Sequence, residues 1–167
     1  MFKHLLIPLD GSGFAEAALP YALELAAQFD SEITLLRVIM PPRAGEGTLS
    51  PESADTMIKL RDGLYREAID YLQLHKGSLR QQNFRAHYQV VESDDIAAEI
   101  ISTVRGCGAD TVVMCSHGRG GLSRWLFGSV ATRVLQSAAV PVLVVRPRND
   151  TVSALSLINI SEPTRPY

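Results

Sequence analysis

The sequence predicts a single α/β domain, a doubly wound five-stranded parallel sheet with strand order 3-2-1-4-5 and helices on both faces. Short β-rich runs alternate with stretches of helical periodicity along residues 1–147. Most of the β-rich runs are continuously apolar, which is typical of strands covered on both faces. Strands that alternate with helices join through right-handed crossovers into one parallel sheet.

The first strand is expected at residues 4–9, and the turn that starts at Asp10 closes it. From Phe14 onward apolar residues recur at steps of three and four, which predicts one amphipathic helix with Ser12 or Gly13 near its N-cap. Pro20 lies inside this helix and should kink it. The expected apolar stripe is Phe14, Ala17, Ala18, Tyr21, Ala22, Leu25 and Phe29.

The second strand is expected at 33–39 and an irregular loop at 40–51, where proline and glycine are frequent. Helical spacing resumes from about residue 53, and Gly77 is expected to end that helix. Residues 84–90 alternate strictly between apolar and polar side chains. This alternation predicts a less buried strand at one edge of the sheet.

A third helix is expected to follow Asp94, and a β-branched strand to occupy 110–115. Helical spacing over 122–139 predicts a fourth helix, whose main part should open at Gly128, and the last strand is expected at 141–145. Residues 148–167 do not continue the pattern. We therefore expect a domain at 1–147 and a C-terminal appendage at 148–167 that is not part of it.

Composition excludes some classes of function. The net charge of −2 lacks the basic excess of proteins that follow phosphate backbones, so nucleic acid is not an expected partner. Apolar runs stay below about 18 residues, and the N-terminus opens directly into a strand, so we expect no membrane segment and a cytoplasmic protein. Cys107 and Cys115 have neither redox-pair nor zinc spacing and are expected to be reduced, mostly buried thiols.

Doubly wound sheets bind ligands beyond the carboxyl ends of their strands, at the point where the strand order reverses. Here that point is the turn after the first strand together with residues 115–129. Glycines allow backbone N–H groups to approach a ligand, and a helix N-terminus favours anions. Gly128 is expected at a helical position where glycine costs about 1 kcal/mol. The segment therefore predicts a phosphate site to which Ser129 adds a hydroxyl and Arg119 a charge.

The same segment resembles the ATP-binding motif G-x2-G-x9-G-S/T of the universal stress protein family, with Cys115 in place of the first glycine. The opening residues 5–12 are also similar to that family's first strand and turn, so the resemblance spans 1 to about 147. It implies that Pro8, Leu9 and Asp10 line the adenine and ribose, and that the backbone of Val38 meets the adenine edge. It also implies that Met114 forms an apolar wall. The phosphate-binding residues that it implies are Gly118, Gly128, Ser129 and Val130.

The resemblance implies a regulatory protein that binds ATP, or AMP or ADP, with little or no turnover; any Mg²⁺ would arrive with the nucleotide. It further implies an unidentified protein partner. A slow ATPase and a ligand-free dimerisation module remain alternatives, and Cys115 favours the second. A flavin or dinucleotide is disfavoured because no G-x-G-x-x-G turn follows the first strand. The uniformly apolar last strand, 142–145, predicts a homodimer joined through that edge.

Overall fold

A computed structural model describes residues 1–42, 51–116 and 128–146, without the side chains of 51–53. The described part of the chain contains five strands and five helices, and one or two helices connect each strand to the next. The strands are β1 (His4–Pro8), β2 (Glu32–Ile39), β3 (Arg85–Glu92), β4 (Thr111–Cys115) and β5 (Val142–Val145). The helices are α1 (Gly13–Glu16), α2 (Leu19–Phe29), α3 (Pro51–Gln81), α4 (Ile96–Cys107) and α5 (Ser129–Ser137).

The strands form one parallel sheet in the order β3-β2-β1-β4-β5, which confirms the predicted fold class and places β3 at an edge. β1 is central: it pairs with β2 on one side and with β4 on the other. The chain winds outward from β1 to β3 and then crosses back to β4. The strand order therefore reverses between β1 and β4, at the centre of the sheet.

Two hydrophobic cores cover the two faces of this sheet. Helices α1, α2 and α3 pack on one face, where the core includes Ile7, Ile33 and Leu72. Helices α4 and α5 pack on the other, where the core includes Leu6, Ile100 and Val134. This division follows from right-handed crossovers, because the direction of winding reverses once. We call these the α1–α3 face and the α4–α5 face.

The helix predicted from Phe14 is two helices, so the expectation of one kinked helix is wrong. Ala17 is the C-cap of α1, Ala18 is the N-cap of α2, and Pro20 lies in the first turn of α2, where its missing N–H costs least. The break also changes the buried stripe. Five alanines are buried, whereas Phe14, Tyr21 and Phe29 are exposed; the buried residues are Ala15, Ala17, Ala18, Ala22 and Ala26.

Gly77 does not end α3, which continues for another turn to Gln81. The chain leaves the helix through Asn83, which takes a left-handed conformation with φ 66°. The N–H of Phe84 then donates to the carbonyl of Leu79 at 3.0 Å, the hydrogen bond typical of a Schellman C-cap. Asparagine thus fills the position that glycine usually takes.

Candidate functional site

The carboxyl ends of β1 and β4 lie side by side where the strand order reverses. Beyond Pro8 the backbone still follows β2, since the N–H of Leu9 donates to the carbonyl of Leu36 at 2.8 Å. Beyond Cys115 it follows β5, since the N–H of Ser116 donates to the carbonyl of Val145 at 2.9 Å. Both loops at this edge are therefore held by the sheet before they turn away.

The turn after β1 fixes the carboxylate of Asp10. Its Oδ1 accepts from the N–H of Ser12 at 2.9 Å and also from the Ser12 hydroxyl. That hydroxyl oxygen in turn accepts from the N–H of Ala15 at 3.2 Å and so caps α1. Gly11 adopts φ 76°, a left-handed conformation that suits glycine. The predicted ribose ligand Asp10 thus belongs to a pre-ordered turn.

The N-terminus of α5 is joined to the end of β4. The N–H of Gly128 donates to the carbonyl of Ser116 at 2.8 Å, and the Gly128 carbonyl accepts from Thr132 at 2.9 Å. Gly128 is therefore the N-cap, with φ −59° and ψ 154°, and not an interior residue. Glycine is well tolerated at an N-cap, so the expectation that helix propensity disfavours it there is wrong.

The first turn of α5 has no side-chain cap and no acidic residue. The start of α2 is likewise without a side-chain cap, whereas α1 is capped by Ser12 and α4 by Asp95, whose Oδ1 accepts from the N–H of Ala98 at 3.1 Å. The backbone N–H groups at the start of α5 therefore lack a side-chain acceptor at the N-cap. An anion near Ser129 would meet both these donors and the positive end of the helix dipole.

An apolar wall stands beside these polar groups on the α4–α5 face. The predicted residues Val38, Met114 and Val130 come from three different elements. Met114 is buried in the hydrophobic core of that face, and Val38 and Val130 are partly buried and pack against it. Two further residues of the same core, Val91 and Ile96, are partly buried and were not predicted from the sequence. Val91 pairs with Val38 in the sheet. It lies on the face of β3 where residues 84–90 carry polar side chains, so the alternating pattern gave no signal for it.

Cys115, which stands in place of the first motif glycine, ends a regular strand and belongs to the core of the α1–α3 face. It is 6% exposed. Burial, and to a lesser degree the negative charge of Asp10, raises the pKa of its thiol to about 12. Its strand conformation needs no glycine, and its side chain points away from Met114 and the apolar wall.

Two predicted residues of the glycine-rich segment, Gly118 and Arg119, lie outside the described residues. Of the predicted site, the described part comprises Pro8, Leu9 and Asp10 at the end of β1, Val38 on β2, Met114 and Cys115 on β4, and Gly128, Ser129 and Val130 at the start of α5. All of these residues lie at or next to the carboxyl edge of the sheet.

A polar cluster that the sequence did not reveal joins α1 to α3 near this edge. The Tyr71 hydroxyl donates to Glu16 Oε1 at 2.9 Å, and His75 Nε2 lies 3.4 Å from the same oxygen. Burial and the Glu16 carboxylate raise the pKa of Tyr71 well above its ordinary value. On β2, Arg37 Nη1 donates to the carbonyl of Leu9 at 3.5 Å. These residues are far apart in sequence and follow no motif spacing.

Within the described ranges, no group of three or more His, Cys, Asp or Glu side chains could hold a metal ion. No helix in those ranges is long and apolar enough to cross a membrane. Cys107 and Cys115 are both free, Cys115 buried and Cys107 half-buried, as expected for reduced thiols.

The fold and this edge define a class: doubly wound α/β domains whose candidate site lies at the strand-order reversal. The sequence model of the universal stress protein family matches residues 1–146. The universal stress protein MJ0531 of Methanocaldococcus jannaschii is 33% identical over 147 residues, which cover 87% of this chain and 83% of that protein. The chain belongs to the universal stress protein family.

Solved structures of universal stress proteins have the same fold as this chain. A structure of the M. jannaschii protein MJ0577 superposes with a TM-score of 0.75 at 29% identity, covering 89% of this chain and 99% of that one. An Archaeoglobus fulgidus universal stress protein in complex with dAMP shares the fold, with a TM-score of 0.57, 19% identity, and 85% and 96% of the two chains covered. A universal stress protein in complex with cAMP does likewise, with a TM-score of 0.55, 15% identity, and 87% and 98% covered.

Proposed function

We propose that this protein binds an adenine nucleotide at the carboxyl edge of the sheet and acts as a regulatory protein whose state depends on that nucleotide. The observation that carries the proposal is the convergence of three chemically different surfaces at one edge. These are the ordered Asp10 turn, the apolar wall with Val38 and Met114, and the start of α5 at Gly128. An adenine nucleotide has a flat apolar base, a ribose with hydroxyls and an anionic end.

The spatial order of Val38, Asp10 and Ser129 across the sheet supports a nucleotide that extends from β2 to α5. Val38 is on β2, Asp10 follows β1, and Ser129 begins the helix after β4, in the spatial order β2-β1-β4. We place the base against Val38, with Met114 as an apolar wall beside it, and the ribose at Pro8, Leu9 and Asp10. The phosphates go to Gly128, Ser129 and Val130 and to the residues proposed from the motif alone, Gly118 and Arg119.

Two relatives of the same fold are described as complexes with dAMP and with cAMP. Both ligands contain adenine, a pentose ring (deoxyribose in dAMP, ribose in cAMP) and one phosphate, which supports an adenine nucleotide as the class of ligand here. ATP is our specific proposal, because the glycine spacing resembles the motif of the family's ATP-binding members. Mg²⁺ would be held through the phosphates, since it usually keeps several waters and few protein ligands.

We propose a binding role with little or no turnover. Hydrolysis needs a group that orients water at the γ-phosphate and a charge that stabilises the transition state. We place the Asp10 carboxylate at the ribose and not at the γ-phosphate, so it is a poor candidate for the first role. A slow ATPase in which Arg119 supplies the charge is the second candidate, and a ligand-free dimerisation module is the third.

We also propose that residues 1–147 form a nucleotide-binding domain and that residues 148–167 form an appendage. We further propose that the protein is a cytoplasmic homodimer that acts on an unidentified protein partner. Among the described residues β5 pairs with β4 on one side and with no other strand, and this observation supports the dimer.

The test is mass spectrometry of ligand released from the purified, heat-denatured protein, followed by calorimetric titration with ATP, ADP and AMP. Retained adenine nucleotide, or saturable binding by calorimetry, supports the proposal. Turnover of roughly 1 per second or faster would favour the enzyme instead. A protein that carries and binds no nucleotide would favour the ligand-free module.

A further inference from the structure

A forked ion pair joins the N-cap of α4 to the middle of α5. Arg133 Nη1 lies 2.8 Å from Asp95 Oδ1, and Arg133 Nη2 lies 2.9 Å from Asp95 Oδ2. The guanidinium holds the pKa of Asp95 below its ordinary value. Both side chains are exposed, 57% for Arg133 and 44% for Asp95. Such a pair adds little to folding stability because water screens it, so the fold does not require it to remain closed.

Arg133 lies on the same side of α5 as the proposed phosphate site. Residues four apart share one face of a helix, so Arg133 follows Ser129 by one turn, and both are exposed. The separation along the axis is about 6 Å. Long helical side chains lean toward the helix N-terminus and cover the preceding turn. The Arg133 guanidinium can therefore reach a phosphate at Ser129 by rotating its side chain alone.

We infer that Arg133 is a specificity-determining residue that binds the outer phosphates of the nucleotide, and that it stays in its ion pair with Asp95 while the site is empty. The inference rests on the proposed function. With the base at β2 and the ribose at β1, the phosphate chain extends toward α5. A triphosphate then brings its β- and γ-phosphates toward Ser129, whereas a monophosphate ends earlier. Arg133 thus strengthens the binding of ATP but not that of AMP.

When Arg133 leaves the Asp95 carboxylate for a phosphate, both Arg133 and Asp95 keep a hydrogen-bond partner. A phosphate group accepts the same planar two-pronged contact from arginine as a carboxylate does, and carries more charge. Asp95 is not left without a hydrogen-bond donor when Arg133 leaves, because its Oδ1 still accepts from the N–H of Ala98 at 3.1 Å. The nucleotide that binds Arg133 therefore breaks the ion pair between α4 and α5 and changes the surface between these two helices.

The test compares the dissociation constants of ATP and AMP by calorimetry at fixed ionic strength. We expect Arg133→Gln to weaken ATP binding by about tenfold and AMP binding by less than about twofold. Asp95→Asn keeps the α4 cap, because asparagine caps helices about as well as aspartate. It should tighten ATP binding and leave AMP binding unchanged. Arg105→Gln, in the last turn of α4, removes the same charge at the far end of the helix and should change neither constant.

Equal weakening of ATP and AMP in Arg133→Gln would overturn the inference, since it would mean that Arg133 supports the base or the structure of the pocket. Unchanged ATP binding would overturn it as well. Neither result would touch the proposed function, provided that the wild-type protein binds both nucleotides. A wild-type protein that binds no nucleotide would overturn the proposed function and this inference together.

Discussion

Met114 and Cys115 are adjacent in β4, yet their side chains enter opposite cores: Met114 packs on the α4–α5 face and Cys115 on the α1–α3 face. Successive residues of a strand alternate between faces, so a substitution at either position reaches only one side of the sheet. The proposed adenine wall is on the Met114 side. Cys115 therefore replaces the motif glycine without placing its thiol against that wall.

This arrangement predicts that Cys115→Gly, which restores the motif glycine, changes stability more than affinity. Loss of a buried side chain and added backbone freedom in the strand should lower the free energy of unfolding by about 1–3 kcal/mol. ATP affinity should change by less than about threefold. Denaturant unfolding and calorimetry measure the two effects. A gain in affinity of tenfold or more would show instead that the thiol obstructs the site.

The raised pKa of Cys115 predicts a loss of stability in alkali. The thiol stays protonated in the folded protein up to a pKa of about 12, whereas in the unfolded chain it ionises near pH 9. The unfolded state therefore binds fewer protons between these values, and stability falls as pH rises through this window. Unfolding free energies at pH 8, 9.5 and 10.5 should fall more steeply for wild type than for Cys115→Ala. Parallel curves would contradict the burial of the thiol.

Gly128→Val should abolish ATP binding while the domain stays folded. A branched side chain at the N-cap of α5 would occupy the space where a phosphate meets the first N–H groups. Gly128→Ser is the matched variant, because serine is a favoured N-cap: it should keep or raise the melting temperature and still weaken binding, since its hydroxyl competes for the same donors. Gly63→Val, at an open position in α3, should leave affinity unchanged. Calorimetric titration of all three variants separates these outcomes.

The sequence predicted the sheet and its order because burial on both faces leaves a simple pattern, as in residues 111–115, and crossover handedness removes most alternatives. Helix ends were less predictable. Pro20 lies in the first turn of α2 where a kink was expected, and the left-handed residue after α3 is Asn83 and not Gly77, because several residues can satisfy the same backbone geometry. The Tyr71–Glu16 contact joins residues 55 apart in sequence, and no local pattern records it.

The position of Gly77 inside α3 has a direct consequence for stability. A Cβ added there would meet nothing within 4 Å, so Gly77→Ala should raise the free energy of unfolding by about 1 kcal/mol through helix propensity. Gly108→Ala is the opposite control, because Gly108 has φ 71° and alanine would be strained there. Thermal or denaturant unfolding should show the two variants shifting in opposite directions. A destabilised Gly77→Ala would mean that the helix ends at that residue.

The hydrogen bond from Tyr71 to Glu16 should stabilise the packing of α3 against α1. Tyr71→Phe removes the hydroxyl and keeps the ring, so it should lower the free energy of unfolding by about 1 kcal/mol. The same loss should be smaller when Glu16 is already alanine, because alanine has no oxygen to accept the hydrogen bond. A double-mutant cycle with Glu16→Ala measures this coupling. A coupling energy near zero would show that the contact contributes nothing to stability.

The last prediction concerns assembly: two copies should pair through β5, antiparallel across a two-fold axis. Parallel pairing with β4 uses one side of β5, as shown by Val112 N–H donating to the Pro141 carbonyl and Ser116 N–H to the Val145 carbonyl. Alternate residues point the other way, so the backbone groups of Val142 and Val144 face the outer edge. Leu143 carries an exposed side chain on the same strand. An apolar edge without charge or proline invites pairing, and a two-fold axis closes it at two subunits.

Leu143→Lys places a charge on this edge without disturbing the β4–β5 ladder, and near the two-fold axis two such charges would repel each other. Val144→Pro removes an outward N–H donor and should have the same effect, whereas Leu143→Pro removes a donor that faces β4 and should destabilise the domain itself. Light scattering at micromolar concentration should show a wild-type dimer and two folded monomeric variants, Leu143→Lys and Val144→Pro. The edge is not the interface if wild type is monomeric, or if both variants remain folded dimers. In that second case the dimer must form through a surface that contains no part of β5, because neither an added charge nor a missing donor on this strand affects it.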